Sequence, residues 1–237
     1  MRVVVIPDVH LKPWLFDKAE RILRLGKADR AVCLMDIPDD WNMSLRIDKY
    51  KETYDRAIAF AKDFPDTLWC YGNHDVSYRF GRLESGYSPY AESTVLNKLE
   101  ELEQSLKDPE QIAFIHRIDN VLFMHGGLTT DYVEWTSLDL IDADIDDIID
   151  SINRGSVYEL WNDRSPLWFR PQMTTKEMFR TDEYTQVVGH TPVENIYEEN
   201  GVISTDTFST HSDGRQIGES AMVVIDTVGR EYKEERV

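Results

Sequence analysis

The stretch that decides the fold is VVVIPDVH, residues 3–10, in which an apolar run leads into an aspartate and a histidine two residues apart. The same plan returns in AVCLMDIPDD, residues 31–40, and in TLWCYGNHD, residues 67–75. Short apolar runs rich in β-branched or aromatic residues predict buried strands. In α/β folds, loops at strand ends carry the functional side chains. We therefore expect these carboxylate, amide and imidazole groups to project from neighbouring loops.

Amphipathic segments separate the apolar runs, which predicts an α/β fold in which helices cover a sheet. Predicted helices cover residues 14–25, 45–64 and 90–106. The predicted strands of the second half are 111–115 and 120–124, as a hairpin turning at Asp119-Asn120, followed by 186–188, 201–205 and 221–228. Residues 153–181 are the expected long loop near a site. With 41% hydrophobic residues, the chain can form one domain over residues 1–237.

The acidic run at residues 139–150 has two readings. Asp142, Asp144 and Asp146 match the first three calcium ligands of an EF-hand loop. The rest of that loop fails, because Asp147 stands where the glycine is needed and Asn153 where the bidentate glutamate is needed. The isoleucines in this stretch have helical spacing instead, so we expect an amphipathic helix with a solvated acidic face.

Composition limits the possible partners and compartments. A net charge of −18 argues against stable nucleic-acid binding, because phosphate contacts need lysine and arginine. We expect neither a signal peptide nor a membrane span. Cys33 and Cys70 fall in predicted buried strands, which fits reduced thiols better than a disulfide framework. The sequence therefore predicts a cytoplasmic protein.

Five polar clusters carry the chemistry. Asp8 and His10 can bind one cation together, and the carboxylate of Asp36 can bridge two. Taken alone, each cluster could be a loop cap or a packed histidine. Four of the six histidines nevertheless lie in these clusters, and His116 and His211 are assigned to the surface. The clusters are Asp8-Val-His10, Asp36 with Asp39, Gly72-Asn73-His74-Asp75, His125-Gly126-Gly127 and Gly189-His190-Thr191-Pro192.

In this order and spacing, the clusters resemble the calcineurin-like metallophosphoesterase superfamily over about residues 3–206. The nearest resemblance is to the phosphoprotein phosphatase and diadenosine tetraphosphatase branch, through His125-Gly-Gly-Leu128, Gly189-His190-Thr-Pro192 and Ile203-Ser-Thr-Asp206. The resemblance implies a four-layer α-β-β-α sandwich, with mixed sheets flanked by helices. Pro192 occupies the second histidine position of the Gly-His-x-His motif of many phosphodiesterases, which favours a phosphatase over a nuclease.

The resemblance also implies roles for individual residues. Two divalent cations would activate a bridging hydroxide for in-line attack on phosphorus. His74 would protonate the leaving oxygen as general acid, and Asp39 would orient His74. The implied ligands are Asp8, His10 and Asp36 for the first metal, and Asp36, Asn73, His125 and His190 for the second.

Two features bear on the substrate. The family's Gly-Asp-x-x-Asp-Arg-Gly becomes Met35-Asp-Ile-Pro-Asp-Asp-Trp41, so Asp40 stands where an arginine would contact phosphate. A carboxylate there would repel a phosphate monoester. Leu167-Trp-Phe-Arg170 matches the second phosphate-binding motif of the bacterial relatives and makes Arg170 the predicted substrate-binding residue. Arg164 and Arg79 are reserves, and a surface arginine stacked on Trp168 is the alternative for Arg170.

Three functions remain open. The first is a two-metal phosphomonoesterase acting on a phosphoprotein or a small molecule. The second is a hydrolase of dinucleoside polyphosphates or other nucleotides, in which Trp14, Trp41 or Tyr78 could stack a base. The third is a metal-binding scaffold without activity. Aspartate, histidine and asparagine ligands suit manganese, iron and zinc, and manganese is the working assignment.

Overall fold

The computed structural model describes residues 1–236, and Val237, the last residue of the predicted domain, lies outside the described residues. Strands and helices alternate through the first half of the chain, as the apolar pattern predicts. The strands are β1 Arg2–Ile6, β2 Arg30–Cys33, β3 Leu68–Cys70, β4 Ile112–Ala113, β5 Ile115–Ile118, β6 Val121–Met124, β7 Thr185–Val188, β8 Tyr197–Glu199, β9 Val202–Ser204, β10 Ala221–Asp226 and β11 Tyr232–Arg236. The α-helices are α1 Trp14–Arg24, α2 Ile47–Asp63, α3 Asn73–Phe80, α4 Glu92–Ser105, α5 Thr130–Ser137, α6 Ile145–Asn153 and α7 Val157–Leu160.

The strands form two mixed sheets. The first has the order β11-β10-β1-β2-β3-β4, with β1 to β4 parallel and the β10 and β11 pairings antiparallel. The second has the order β5-β6-β7-β9-β8, with β6, β7 and β9 parallel. The helical crossovers that parallel strands require supply the outer layers. The carboxyl ends of the parallel strands carry the polar clusters in both sheets.

Strand periodicity divides the core into layers. Val3 and Val5 of β1 belong to the apolar layer shared with the second sheet, whereas Val4 and Ile6 pack with the helices. This division follows from the two-residue period of a strand, because alternate side chains point to opposite faces. Complete burial of one such side chain contributes about 1.5–3 kcal/mol. The result is the predicted four-layer arrangement of helices, sheet, sheet and helices.

The predicted strand at residues 111–115 is wrong in one respect. Residues 112–113 pair with β3 in the first sheet, while β5 begins at Ile115 and forms the hairpin with β6 in the second sheet. The chain therefore passes from one sheet to the other between Ala113 and Ile115. His116 lies at this crossing, where its side chain is buried and its Nε2 is 3.1 Å from the carbonyl oxygen of Trp69. The assignment of His116 to the surface is therefore wrong, whereas His211 is exposed as expected.

The fold also bears on the predictions for the Gly-Asn-His-Asp cluster, the acidic run, the cysteines and a membrane span. Asn73 and His74 begin helix α3 rather than project from a loop, because Gly72 is the N-cap of that helix and Asp75 accepts a hydrogen bond from the Gly72 N–H. The acidic run forms helix α6 with buried isoleucines, and Asp144 caps its start. Cys33 and Cys70 are buried free thiols. Among the described residues, no helix is long and apolar enough to cross a membrane.

Candidate metal centre

Strand ends from both sheets converge on one cluster. The loops after β1 and β2 and the start of α3 contribute from the first sheet, and the ends of β6 and β7 contribute from the second. All six predicted metal ligands and the predicted acid lie in these segments, and Asp36 contacts members from both sheets. The residues brought together are Asp8, His10, Asp36, Asn73, His74, His125 and His190.

Backbone hydrogen bonds join the first two of these loops. The His10 N–H donates to the Asp36 carbonyl at 2.7 Å, and the flanking residues repeat this pairing on either side. His10, Asp36 and Asp39 all have left-handed backbone, with φ of 41°, 43° and 64°. Such conformations cost on the order of 1–3 kcal/mol each and persist where the surroundings fix them. The fold therefore holds strained backbone where the cluster is built.

Two glycines make the close packing possible. A Cβ atom on Gly72 would lie 2.0 Å from Oδ1 of Asp36, and one on Gly189 would lie 2.0 Å from Oδ1 of Asp8. Any side chain at either position would displace a candidate ligand. The glycines of Gly-Asn-His-Asp and Gly-His-Thr-Pro are thus steric requirements of the cluster.

Lone pairs converge at the centre of the cluster. His125 Nδ1 is 2.9 Å from the Leu34 carbonyl oxygen, and donation there leaves Nε2 of a neutral ring without a proton. That Nε2 lies 3.0 Å from Asn73 Oδ1, 3.1 Å from Asp36 Oδ2 and 3.2 Å from His190 Nδ1. Buried His190 Nε2 has no hydrogen-bond partner in the described chain. Two imidazoles, a carboxylate and an amide oxygen around one point are a donor set that suits a divalent transition-metal ion, so the residues present fit one.

Two groups have the geometry to hold a cation. Asp36 belongs to both, and within each group the ligand atoms lie within 4.8 Å of one another. Asp8 lies beside these groups: its carboxylate accepts the His190 N–H at 2.9 and 3.1 Å and lies 4.0 Å from His125 Nε2. The two groups are His10 with Asp36 and His74, and Asp36 with His125 and His190.

The charges of the cluster depend on one another. Burial alone would raise the pKa of Asp36, but the imidazoles of His125 and His74 outweigh it and hold this pKa well below its ordinary value. Burial alone would lower the pKa of His125, yet the Asp36 and Asp8 carboxylates raise it to about 9. Burial, followed by the Asp206 carboxylate, raises the pKa of Asp8 well above its ordinary value. Positive charge beside these carboxylates therefore favours their ionised form.

Asp39 and His74 form a dyad at the edge of this cluster. His74 Nδ1 lies 3.0 Å from Asp39 Oδ2, and the hydroxyls of Tyr50 and Tyr78 donate to Asp39 Oδ1 at 2.8 and 2.6 Å. Burial alone would lower the pKa of His74, but Asp36, Asp39 and Glu84 outweigh it and raise it to about 10. The two tyrosines fix the carboxylate that orients His74. Tyr78 is therefore not available to stack a base.

Glu84 is a site residue that the sequence patterns did not reveal. It lies in the loop between α3 and α4, accepts a hydrogen bond from Asn73 Nδ2 at 2.8 Å, and has its other oxygen 3.4 Å from His74 Nδ1. Asp206, which the sequence analysis names only as part of the Ile203–Asp206 stretch and without a role, is also buried, beside Asp8, with one oxygen lacking a hydrogen-bond partner. For Glu84, the sequence shows only an acidic residue in a polar loop.

A cleft of about 800 Å³ opens over the cluster. His10, Asp36, Asn73, His74 and His190 reach its floor. Trp41, Tyr87, Trp168, Arg170 and Thr210 are among the residues that form its walls. The cleft is large enough for a phosphoester with an organic group attached.

Comparison with known proteins identifies the family. The model of the calcineurin-like phosphoesterases matches residues 1–216. This chain belongs to that family. No curated protein matches the chain.

Solved structures agree on the fold. The cold-active protein-tyrosine phosphatase of a psychrophilic Shewanella species has a TM-score of 0.56 and 21% identity, with 98% of this chain and 80% of that chain covered. A hypothetical protein from Pyrococcus horikoshii OT3 has a TM-score of 0.50 and 13% identity, with coverage of 100% and 87%. Calcineurin-like phosphoesterases are dinuclear-metal enzymes, and this chain has two candidate metal-ligand groups. The protein is therefore a metal-dependent phosphoesterase.

The charge of Asp40, which stands in place of the arginine of the family motif, is balanced by a lysine. Lys12 Nζ donates to Asp40 Oδ2 at 3.0 Å and to the His10 carbonyl at 3.0 Å. Thr210 and the Trp41 backbone N–H bind the other oxygen of Asp40. The expected repulsion between Asp40 and phosphate is thus reduced by a lysine that lies only two residues after His10.

The predicted substrate arginines separate into one that reaches the cleft and two that do not. Arg170 lines the cleft, and its Nη1 donates to the His190 carbonyl at 2.6 Å and to Thr191 Oγ1 at 3.1 Å. Arg79 instead pairs with Glu103 and Tyr71, and Arg164 is exposed outside the cleft lining. Of the three predicted arginines, Arg170 is therefore the one placed to meet a substrate in the cleft.

The aromatic residues proposed to stack a base also differ in position. Trp41 lines the main cleft and is 52% exposed. Trp14 lines a separate cavity of about 470 Å³, which shares Asp40 with the main cleft. Of the three residues predicted to stack a base, Trp41 is the one that lines the cleft above the cluster.

Proposed function

We propose that this protein is a two-metal phosphatase that hydrolyses phosphate monoesters, resembling the Ser/Thr protein phosphatases. The observation that carries the proposal is the Asp39–His74 dyad, which is oriented by two tyrosines and opens into the cleft. An oriented imidazole beside a phosphate-sized site is what protonation of a leaving alkoxide requires.

In this proposal the first metal is held by Asp8, His10 and Asp36, and the second by Asp36, Asn73, His125 and His190. Manganese is the proposed ion, with iron and zinc as alternatives. When bound, the two ions supply the hydroxide nucleophile and neutralise charge on the phosphoryl oxygens. The convergence of acceptor atoms on His125 Nε2 supports this assignment.

In this proposal, side chains of the protein bind the substrate and transfer the proton. Arg170 binds phosphoryl oxygens through donors not engaged by His190 and Thr191, since the guanidinium has five N–H groups and the hydrogen bonds within the chain use Nη1. His74 gives its proton to the leaving oxygen while Asp39 holds the ring. Lys12 keeps Asp40 from repelling the substrate. The substrate is a phosphoprotein or a phosphorylated small molecule in the cytoplasm.

The test is hydrolysis of p-nitrophenyl phosphate in the presence of Mn²⁺ by the wild type and His74→Asn. Loss of a positioned general acid is expected to lower kcat by about 10²–10⁴-fold while bound metal stays at the wild-type level. Metal content is measured by elemental analysis of the same samples. A wild type that retains metal but turns over nothing, with His74→Asn no different, would leave only the metal-binding scaffold.

A second candidate is a hydrolase of dinucleoside polyphosphates or other nucleotides, favoured by exposed Trp41 on the cleft wall. Phosphoserine, phosphothreonine and phosphotyrosine peptides should be compared with diadenosine tetraphosphate at equal concentration. The phosphotyrosine peptide is included because the Shewanella protein is described as a protein-tyrosine phosphatase. Turnover of the peptides alone would remove the nucleotide function.

A further inference from the structure

One buried carboxylate contacts both halves of the site. Glu84 is 8% exposed at its side chain and lies in the loop between α3 and α4. Its Oε2 accepts a hydrogen bond from Asn73 Nδ2 at 2.8 Å, and its Oε1 lies 3.4 Å from His74 Nδ1. Asn73 belongs to the proposed metal ligands and His74 is the proposed acid. Glu84 therefore links the metal-binding and proton-transfer parts of the site.

The contact with Asn73 decides which end of the amide faces the cluster. A carboxylate only accepts hydrogen bonds, so it selects the NH₂ end of the Asn73 side chain. The carbonyl oxygen Oδ1 is then the end that faces His125 Nε2, at 3.0 Å. Only this end can bind a cation. Without Glu84, no contact of the described residues would prevent the amide from turning its NH₂ group toward the metal site.

The carboxylate of Glu84 lies among charges of both signs. It is close to the carboxylates of Asp36 and Asp39, which repel it, and to the imidazole of His74, which attracts it. Its Oε1 has an ion-pair distance to His74 but no hydrogen-bond partner. A group that hydrogen-bonds a metal ligand orients that ligand and tunes the affinity of the site.

The loop that carries Glu84 is shaped to cover His74. Gly86 has left-handed backbone with φ of 92°, and a Cβ there would lie 3.3 Å from His74 Cε1 and 3.4 Å from Asp39 Cβ. The glycine lets the loop backbone pass directly over the dyad. Glu84 thus reaches its two partners from a loop that is itself fitted to the site.

We propose that Glu84 is a positioning residue that fixes the Asn73 amide with its oxygen toward the second metal and holds the His74 ring for proton transfer. The part that concerns proton transfer rests on the proposed function. The part that concerns Asn73 does not, because it predicts metal affinity in the absence of any substrate.

The first experiment is a calorimetric titration of the metal-free chain with Mn²⁺. Glu84→Ala should weaken binding by about 10–100-fold, the usual effect of losing an outer-shell partner. Glu84→Gln keeps an oxygen that can accept from Asn73 Nδ2 and should bind within about threefold of the wild type. Glu110→Gln is the matched control, since its carboxylate is exposed and outside the cleft lining. Affinity of Glu84→Ala equal to that of the control overturns the proposal.

Thermal melting of the same metal-free samples separates positioning from a structural role. Glu84→Gln keeps the side-chain volume and the oxygen that accepts from Asn73 Nδ2, so its Tm should stay close to that of the Glu110→Gln control. A Tm well below the wild type would mean that Glu84 serves stability, and the proposal would fall.

The second experiment compares two leaving groups. Glu84→Gln should lose more kcat on a phosphoserine peptide than on p-nitrophenyl phosphate, because an alkoxide needs protonation more than p-nitrophenolate does. Equal losses on both substrates would contradict the His74 part of the proposal. If the wild type hydrolyses neither substrate, the proposed phosphatase function fails, and the Mn²⁺ titration still decides the role of Glu84 at Asn73.

Discussion

Substitution of Gly72 by alanine tests whether close packing builds the metal centre. The added Cβ would lie 2.0 Å from Asp36 Oδ1 and 2.6 Å from the Asp36 backbone nitrogen. Relief to about 3 Å or more requires the carboxylate to move by about 1 Å, since carbon contacts are favourable only near 3.5–4 Å. That movement also breaks the hydrogen bond from the His74 N–H to Asp36 Oδ1, which is 2.9 Å long.

Two magnitudes follow from this geometry. Overpacking and the lost charge-assisted hydrogen bond each destabilise by about 1–3 kcal/mol, which predicts a Tm lower by roughly 4–24 °C in a chain of this size. A displacement of about 1 Å at a reacting centre can cost about 10²-fold in rate. We expect Gly72→Ala to lose Mn²⁺ affinity and to hydrolyse p-nitrophenyl phosphate about 10²-fold more slowly.

The matched control is Gly229→Ala. Its added Cβ would meet only Asp226 side-chain atoms at 3.8 Å, an ordinary contact, and its backbone is not left-handed. The assays are calorimetric Mn²⁺ titration, thermal melting and steady-state hydrolysis. If Gly72→Ala matched Gly229→Ala in all three, Asp36 would not be held as the structure describes, and the account of the cluster would be refuted.

Three further predictions concern single side chains. Arg170→Met should lower kcat/KM by about 10–100-fold, mainly through KM, because charge-assisted hydrogen bonds contribute about 1.5–3 kcal/mol; exposed Arg164→Met is the kinetic control. Tyr78→Phe removes the donor to Asp39 and the acceptor for the Ser88 N–H, so urea unfolding should show a loss of about 1–3 kcal/mol and steady-state assays a lower kcat. Burial, with a smaller contribution from Arg30, lowers the pKa of His116 to about 4. The neutral ring therefore contributes its full stability above pH 6.5. That contribution, roughly 3 kcal/mol, should be lost as the pH falls from 6.5 to 4. His116→Gln should flatten that part of the stability profile in urea titrations, and an unchanged acid slope would contradict the burial argument.

Much of the site could be predicted because its residues are local to strand ends. An apolar run followed by Asp8 and His10, or by Gly72 and Asn73, is visible in one window of sequence, and a parallel sheet brings the ends of such runs together. Arg170 also emerged from a local motif, and it reaches the cleft. Arg79 and Arg164 carried no comparable motif, and neither lines the cleft.

The errors have a common physical origin in contacts between distant segments. The sequence assigns His116 to the surface because it lies outside the strand-end clusters, but the chain changes sheets just before it and places its ring against the Trp69 carbonyl. Glu84 was missed because it follows Asn73 by eleven residues in an ordinary polar loop. Tyr78 looked like packing or a stacking surface, and its hydrogen bond to Asp39 exists only across the folded chain.

By itself, the sequence determined the layered α/β fold and the chemistry of the ligands, because strand period, strand-end position and side-chain type are all local properties. The tertiary structure alone decided how those ligands face one another and which other groups restrain them. The Lys12 pairing that compensates Asp40, the tyrosines on Asp39 and the Glu84 contact with Asn73 all depend on distances between segments far apart in the chain. Such distances follow from the packing of the whole core, which no single stretch of sequence encodes.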